Sequence, residues 1–130
     1  MAALSDHAEK LILDWMMTAG AATRPTAWYV ALYTAAPSDS GGGTELSGSG
    51  YARESVTFAA ATSGTGTTSN TGTVVFTADG GDWGSVTHMG IHDAVSGGNL
   101  LWHGSLAAAK TVADGDTLEF AVGNIDLTVA

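Results

Sequence analysis

The residues with the most chemical potential in this chain are its histidines. Three of the four, His88, His92 and His103, fall within "SVTHMGIHDAVSGGNLLWHG" (Ser85–Gly104), beside Asp93. Imidazoles and a carboxylate at short spacing are the material of a metal centre or of acid–base chemistry. On a helix, His88 and His92 would meet on one face, but Gly84, Gly90, Gly97 and Gly98 speak against a helix here. On a strand the two share a face yet stand roughly 13 Å apart, at about 3.3 Å per residue, which is too far for one metal ion. The segment reads instead as two strands turning at "AVSGGN", and in one register His88 faces His103 with Cβ atoms roughly 5 Å apart. Two imidazoles can begin a zinc site, but nothing local supplies a third ligand in that register. The expectation is polar histidines on a solvated or interface face, with no metal and no cofactor.

Other chemistries fare no better. The serines lie in Gly-rich loops, without a Gly-x-Ser-x-Gly elbow, and "GGGTELSGSG" lacks the Lys-Ser/Thr ending of a phosphate loop. Asp114 and Asp116 flank a turn glycine. Asp79 and Asp82 frame "DGGDWG" without the spacing of a calcium loop. There is no cysteine, hence no thiolate nucleophile, thiolate metal site or disulfide. Trp28, Trp83 and Trp102 read as core or inter-subunit filler, with a sugar-binding platform as the sharper alternative. The chain is expected not to be an enzyme.

The elements that position these residues are legible from periodicity. "LSDHAEKLILDWMMTAG" predicts a helix over about 5–19, with Ser5 as N-cap, Asp6 and Glu9 in the first turns and Gly20 placed to end it. Ala8, Leu11, Ile12, Trp15, Met16 and Ala19 form its apolar stripe, while Leu13 and Met17 fall off it. Such a helix either lies on its own sheet or packs on another subunit. "AWYVALYT" (Ala27–Thr34) is a strand covered on both faces. "AAPSDSGGGTELSGSG" (Ala35–Gly50) is a long loop without periodicity. Strands follow at Tyr51–Ala61, where the alternation is weak, and at Thr73–Ala78. The closing runs alternate at Leu118, Phe120 and Val122, then at Ile125, Leu127 and Val129, after a turn at Asp114–Gly115. The fold class is mainly β: an antiparallel sandwich or jelly roll with one N-terminal amphipathic helix, as a single domain over residues 1–130 whose β portion is about 27–130.

Bulk composition narrows the partners. Hydrophobic residues make up 45% and charged residues only 13% of the chain, the latter about half the usual share. The net charge is −9, from 13 acidic residues against Lys10, Arg24, Arg53 and Lys110. Four scattered cations cannot form a phosphate-binding patch, so no nucleic-acid partner is expected. The apolar stretch Leu11–Met17 is interrupted by Asp14 and is far shorter than the roughly 18 residues of a membrane span, and the first residues have no secretory-signal pattern.

Several blocks together carry a family resemblance. "YVALYTAAPSDSGGGTELSGSGYARESVTF", "DWGSVTHMGIHDAVSGGNLLWHGSL" and "KTVADGDTLEFAVGNIDLTV" occur in that order, and the chain from about Leu4 to Val129 resembles small virion structural proteins of tailed bacteriophages. The resemblance implies a non-enzymatic particle component and transfers no catalytic residue. The leading expectation is a capsid decoration (cement) protein that binds the outer shell as a homotrimer, with itself and the major capsid protein as partners. The alternative is a tail-associated fibre, collar or spike component bound to a tail protein and contacting host glycan. Candidate assembly contacts are Leu11, Ile12, Trp15 and Met16 on the helix and Pro37, Glu45 and Leu46 in the loop, the parts least explained by the chain's own fold.

Overall fold

The computed structural model describes residues 2–129; Met1 and Ala130 lie outside the described residues. The strands are β1 (Ala2–Leu4), β2 (Tyr29–Ala35), β3 (Thr44–Glu45), β4 (Glu54–Ser55), β5 (Thr67–Ser69), β6 (Val74–Thr77), β7 (Gly84–His92), β8 (Leu100–Val112), β9 (Thr117–Phe120) and β10 (Asp126–Thr128), with one helix, α1 (Asp6–Met17). The chain is mainly β, its sheets antiparallel, with a single N-terminal helix. The largest sheet runs β1-β8-β7-β2-β3, with β4 also paired to β2; β5 with β10 and β6 with β9 form two small ribbons.

Alternation on β2 explains how these sheets stack. Val30 and Leu32 stand opposite Ile91 and Met89 and face the same way. That face meets Val74, Phe76, Leu118, Ile125 and Leu127 from the ribbons in one core. The intervening residues Tyr29, Ala31 and Tyr33 take the other face, opposite His92, Gly90 and His88. Ala31 and Tyr33 are also buried, so the expectation of a strand covered on both sides holds.

The helix begins where the sequence places it. Ser5 is buried, and its Oγ accepts from the Ala8 N–H at 3.2 Å while donating to the Leu100 carbonyl. The N-cap is thus also a tie to β8. The helix stops at Met17 rather than running to residue 19, because Thr18 leaves it in an extended conformation. The Thr18 hydroxyl then donates to the Asp14 carbonyl at 2.8 Å and accepts from the Gly20 N–H at 3.2 Å. Gly20 ends nothing by itself.

Two expected elements come out differently. The strand expected over Tyr51–Ala61 shrinks to β4, which pairs only with Tyr29 and Val30. Beyond it Val56 turns into the core, its N–H on the Trp28 carbonyl at 3.0 Å. The chain then changes partner: Phe58 forms an isolated antiparallel bridge with Asn70, with the Ala59 N–H on the Ser69 carbonyl at 3.0 Å and the Thr71 N–H on the Thr57 carbonyl at 2.9 Å. The loop Ala35–Gly50, conversely, is partly strand: Thr44 and Glu45 pair with Ala35 and Tyr33 across an irregular register. At Asp114–Gly115 the turn is present, but it passes the chain from β8 to a different sheet instead of closing a hairpin, since β9 pairs with β6.

The ribbons depend on one buried amide. Asn70, 1% exposed, donates to the Gly72 and Ala121 carbonyls at 2.8 and 3.0 Å and accepts from the Ile125 N–H at 2.9 Å. The bond to Gly72 closes the local turn, while the bonds to Ala121 and Ile125 join the end of β5 to the segment between β9 and β10. Removing the amide strands a buried donor and two carbonyls, at about 1–3 kcal/mol for a group left unpaired. Asn70→Ala is therefore expected to lower unfolding free energy by roughly 2–4 kcal/mol, measured by urea denaturation, with exposed Ser63→Ala as a control that changes little.

Candidate functional site

The outer face of the main sheet carries all three clustered histidines, and the register gives each a different neighbour. His88 stands opposite Ser105 and His103 opposite Gly90, so the register in which His88 faces His103 is not adopted. From the turn, the pairing starts at His92–Leu100, shifts by one extra residue on β8 at Leu101, and then runs regularly from Ile91–Trp102 to His88–Ser105. A second irregularity follows, where four residues separate Ser105 from Lys110 against one between His88 and Val86. The His88 Nδ1 meets the Thr87 hydroxyl at 2.8 Å, His103 Nε2 meets Asp39 Oδ1 at 2.7 Å, and His92 Nε2 meets the Tyr33 hydroxyl at 2.7 Å. Among the described residues no three His, Asp or Glu side chains converge as a metal site. Asp93 is turn chemistry: its carboxylate accepts from the Asn99 backbone N–H at 2.6 Å and from the Asn99 amide at 3.0 Å, closing the turn between β7 and β8.

The Tyr33–His92 contact spans four positions of β7, because Tyr33 sits opposite His88. The phenol reaches back along the sheet over Gly90. A Cβ on Gly90 would lie 3.0 Å from a Tyr33 ring carbon and 2.8 Å from a Leu100 methyl, so only glycine leaves the ring its path. The two rings then stack, with centroids 6.2 Å apart and planes 11° from parallel. His92 is 7% exposed, and its Nδ1 is buried without a partner among the described residues.

Beside this pair lies the densest polar network of the chain. Arg53 makes a two-pronged pair with Glu45, Nε to Oε1 and Nη2 to Oε2, both at 2.8 Å. Its Nη1 donates to the carbonyls of Ala94 and Gly97 at 2.9 and 2.8 Å. Tyr51 donates to Glu45 Oε1 at 2.9 Å and accepts from the Leu32 N–H at 3.0 Å. Burial alone would raise the pKa of Glu45, but the hydrogen bonds from Arg53 and Tyr51 outweigh it and hold the carboxyl below its ordinary value. For His92, burial comes first and the nearby Arg53 charge second. Together they pull the imidazole down to about 4 against the opposing charges of Glu45 and Asp93. His92 is neutral at pH 7.

The sequence-derived contact residues divide sharply. On α1, Leu11 and Ile12 are half-buried, while Trp15 and Met16 are 73% and 63% exposed. In the loop, Pro37 is buried, Leu46 belongs to the core and Glu45 is held by Arg53 and Tyr51. Leu13 and Met17, which fall off the helical stripe, are 59% and 74% exposed and extend the apolar surface of α1. Trp28 and Trp102 pack against the core and Trp83 lies within it, its indole N–H on the Ser49 carbonyl at 3.0 Å, which leaves Trp15 as the exposed tryptophan. Tyr33, His92 and Arg53 escape sequence reasoning as a group. The one available signal is that an acidic chain with four cations places one of them, Arg53, between a tyrosine and the strand that follows.

Fold and surface together define a small antiparallel β-protein whose distinctive features are a buried polar staple and a helix exposing large apolar side chains, the outline of an assembly component. No helix of the described residues is long and apolar enough to cross a membrane. Residues 3–128 match the family model described as Podophage GP4 fiber I protein gp80. The chain belongs to that family, and it is a phage fibre structural protein. No curated protein matches it. The family bears out the resemblance to virion structural proteins, and it favours the fibre alternative over the shell-cement expectation with its major-capsid partner.

The lowered His92 pKa has a consequence for stability with a definite sign. An unfolded histidine takes up its proton near pH 6.5, whereas the folded one resists until about pH 4. Between these values the unfolded state binds more protons, so folding stability falls as pH falls. The expected loss from pH 6.5 to 4.5 is roughly 2–3 kcal/mol, read from denaturation midpoints across that window. His92→Gln should flatten most of that slope; an unchanged slope would assign it to other groups.

Proposed function

We propose that the chain is a tail-associated fibre subunit that acts by self-association as a homotrimer, folded as a single domain, with α1 as its principal contact. One observation carries this reading. Leu13, Trp15, Met16 and Met17 are all more than half exposed on one short helix, whereas the other exposed large apolar residues, Val75, Val95, Val122 and Val129, are single valines far apart in sequence. Contiguous exposed apolar surface of this kind marks a protein contact in soluble proteins. Each such side chain gains roughly 1.5–3 kcal/mol on full burial, so the last turns of α1, apolar around most of their circumference, supply an interface that the isolated chain lacks.

Supporting features agree. The N-terminal half of α1 is anchored, through Ser5 on the Leu100 carbonyl and the Asp6 N–H on the Asp39 carbonyl at 2.9 Å, so the exposed half is presented from a fixed base. Closed symmetry is the general rule for homo-oligomers, and a trimer of a β-domain suits a fibre axis. The family membership supplies the particle context. The loop residues Pro37, Glu45 and Leu46 serve this assembly indirectly, by fixing the surface beside the helix.

The test is the mass of the assembly. Wild-type protein in analytical ultracentrifugation is expected to sediment as a trimer. Trp15→Ser with Met16→Ser should yield monomer with an unaltered circular dichroism spectrum, because neither side chain is packed in the chain's own core. Retained trimer in the double variant would remove α1 from the interface. Labelling of particles with an antibody to this chain should decorate the tail; uniform labelling of the shell would overturn the tail reading.

A further inference from the structure

One side of β8 is left open over half its length. β1 pairs with it only from Leu4–Trp102 to Ala2–Gly104, while β7 holds the opposite side. From Ser105 to Thr111, seven residues, β8 has no strand on the β1 side among the described residues. An edge of unpaired N–H and C=O groups is a template for a further strand, and natural edges are commonly blunted by charge or proline. Here Lys110 is the one charged residue of the edge, and Leu106–Ala109 carry none.

A groove of about 740 Å³ runs beside this edge. Its walls come from Gly104–Ala108 of β8, Leu118–Phe120 of β9 and Asn124–Asp126 leading into β10, with Ala2 of β1 also touching it. Apolar contact is supplied by Met89, Leu118 and Ile125, which belong to the core, and by half-buried Leu106 and Phe120. The charges that line it are Lys110, Glu119 and Asp126, one cation against two carboxylates. Both carboxylates are exposed, and the ion pairs of the described residues use other acids.

The same chain carries an extended segment that lacks partners. Ala21–Ala27, between α1 and β2, is again seven residues and has no regular secondary structure. None of its backbone groups is hydrogen-bonded among the described residues. At about 3.3 Å per residue, segment and edge each span roughly 23 Å. Pro25 has no N–H to pair and biases Arg24 toward an extended conformation. Lys10 is paired with Asp14 and Arg53 with Glu45, whereas Arg24 is exposed and forms no ion pair among the described residues. No residue of Ala21–Ala27 lines the groove, so a chain's own segment does not fill it.

We propose that Ala21–Ala27 of a second copy of this chain lies along the Ser105–Thr111 edge as an added strand, with Arg24 set against Glu119 and Asp126 and away from Lys110. Backbone pairing at an open sheet edge supplies the affinity and side-chain contacts supply the register. The occupant is a copy of this chain because equal length, unpaired backbone on both sides and opposite charge occur within one sequence. This rests on the self-association reading and names the surface that the segment after α1 meets. The contact is heterologous, segment of one copy on groove of the next, and such contacts close into rings when the rotation permits, as a trimer requires. Trp15, Met16 and Met17 lead directly into the segment, so the exposed end of α1 is brought to the same junction.

The test is covalent capture, which the absence of native cysteine makes clean. Thr23 and Ala108 are both exposed. The double variant Thr23→Cys/Ala108→Cys, treated with a short bis-maleimide, is expected to give covalent dimer and trimer on a denaturing gel, while each single variant stays monomeric on that gel. Arg24→Glu should weaken association by about tenfold, and combining it with Glu119→Arg and Asp126→Arg should restore it. Capture of monomer only, linkage within one chain, or equal capture by Thr23→Cys alone would overturn the proposal. So would a loss in Arg24→Glu that the reversed carboxylates do not recover. A wild-type chain that sediments as a monomer removes the self-association reading and this contact with it; a trimer that is not captured removes this contact alone.

Discussion

The arrangement of this chain depends on one buried cation. The Arg53 side chain is 8% exposed and reaches Glu45 with two nitrogens and two turn carbonyls with a third. A planar guanidinium can make these bonds at once; an ammonium cannot. The consequence is that β3, the segment before β4 and the turn between β7 and β8 are fixed to one point. Removing one member of a buried pair leaves an uncompensated charge and typically costs about 3–5 kcal/mol. In a chain with only four Lys and Arg residues, committing one to the interior marks the staple as the device that gives the Gly-rich half of the sheet a single conformation.

The staple also sets the electrostatics of the outer face. Its positive charge lies near His92 and, with burial, keeps that ring neutral, so the Tyr33–His92 pair operates as two neutral polar groups. The Gly90 gap makes the pair geometrically attainable, since the phenol must pass over β7 to reach a histidine four positions from its own cross-strand partner. Burial also raises the pKa of Tyr33, with Glu45 adding to it, so the phenol keeps its hydrogen under ordinary conditions. The outer face is thus a built polar surface, and the inner face is the apolar core.

What the sequence discloses follows the range of the interactions. Helix α1 is legible because its cap, first-turn acids and apolar spacing all lie within a few residues. The turn at Ala94–Asn99 is legible for the same reason, its glycines and Asp93 being local. The strand β1 is invisible: Ala2, Ala3 and Leu4 show no period and become a strand only by pairing with Gly104, His103 and Trp102 at the far end of the chain. The bond from Tyr33 to His92 joins residues 59 apart in sequence, and a one-residue change of register would abolish it. The pairing of His88 with Ser105 instead of His103 likewise follows a register that shifts at Leu101 on β8, which the run "NLLWHG" does not announce. The loop Ala35–Gly50 misleads in the other direction. Its composition reads as free chain, but Pro37 and Leu46 are buried and Glu45 is held by a partner that lies beyond the loop itself.

These features divide the labour between the surfaces. The sheet holds its polar groups tightly: even the turn carboxylates of Asp82, Asp114 and Asp116 cap backbone N–H groups at 2.8 to 3.1 Å. Few mobile charged side chains are then left to lose their water at a contact, and the low charged fraction suits dense packing in an assembly. The exception is α1, whose second half leaves the body of the chain with its large side chains uncovered while its first half is pinned to β8 and the Asp39 carbonyl. A helix anchored at one end and apolar at the other cannot relieve that exposure by folding back, because its cap fixes the direction of its axis. Relief must come from outside the chain, and the self-association proposed for this fibre subunit would supply it.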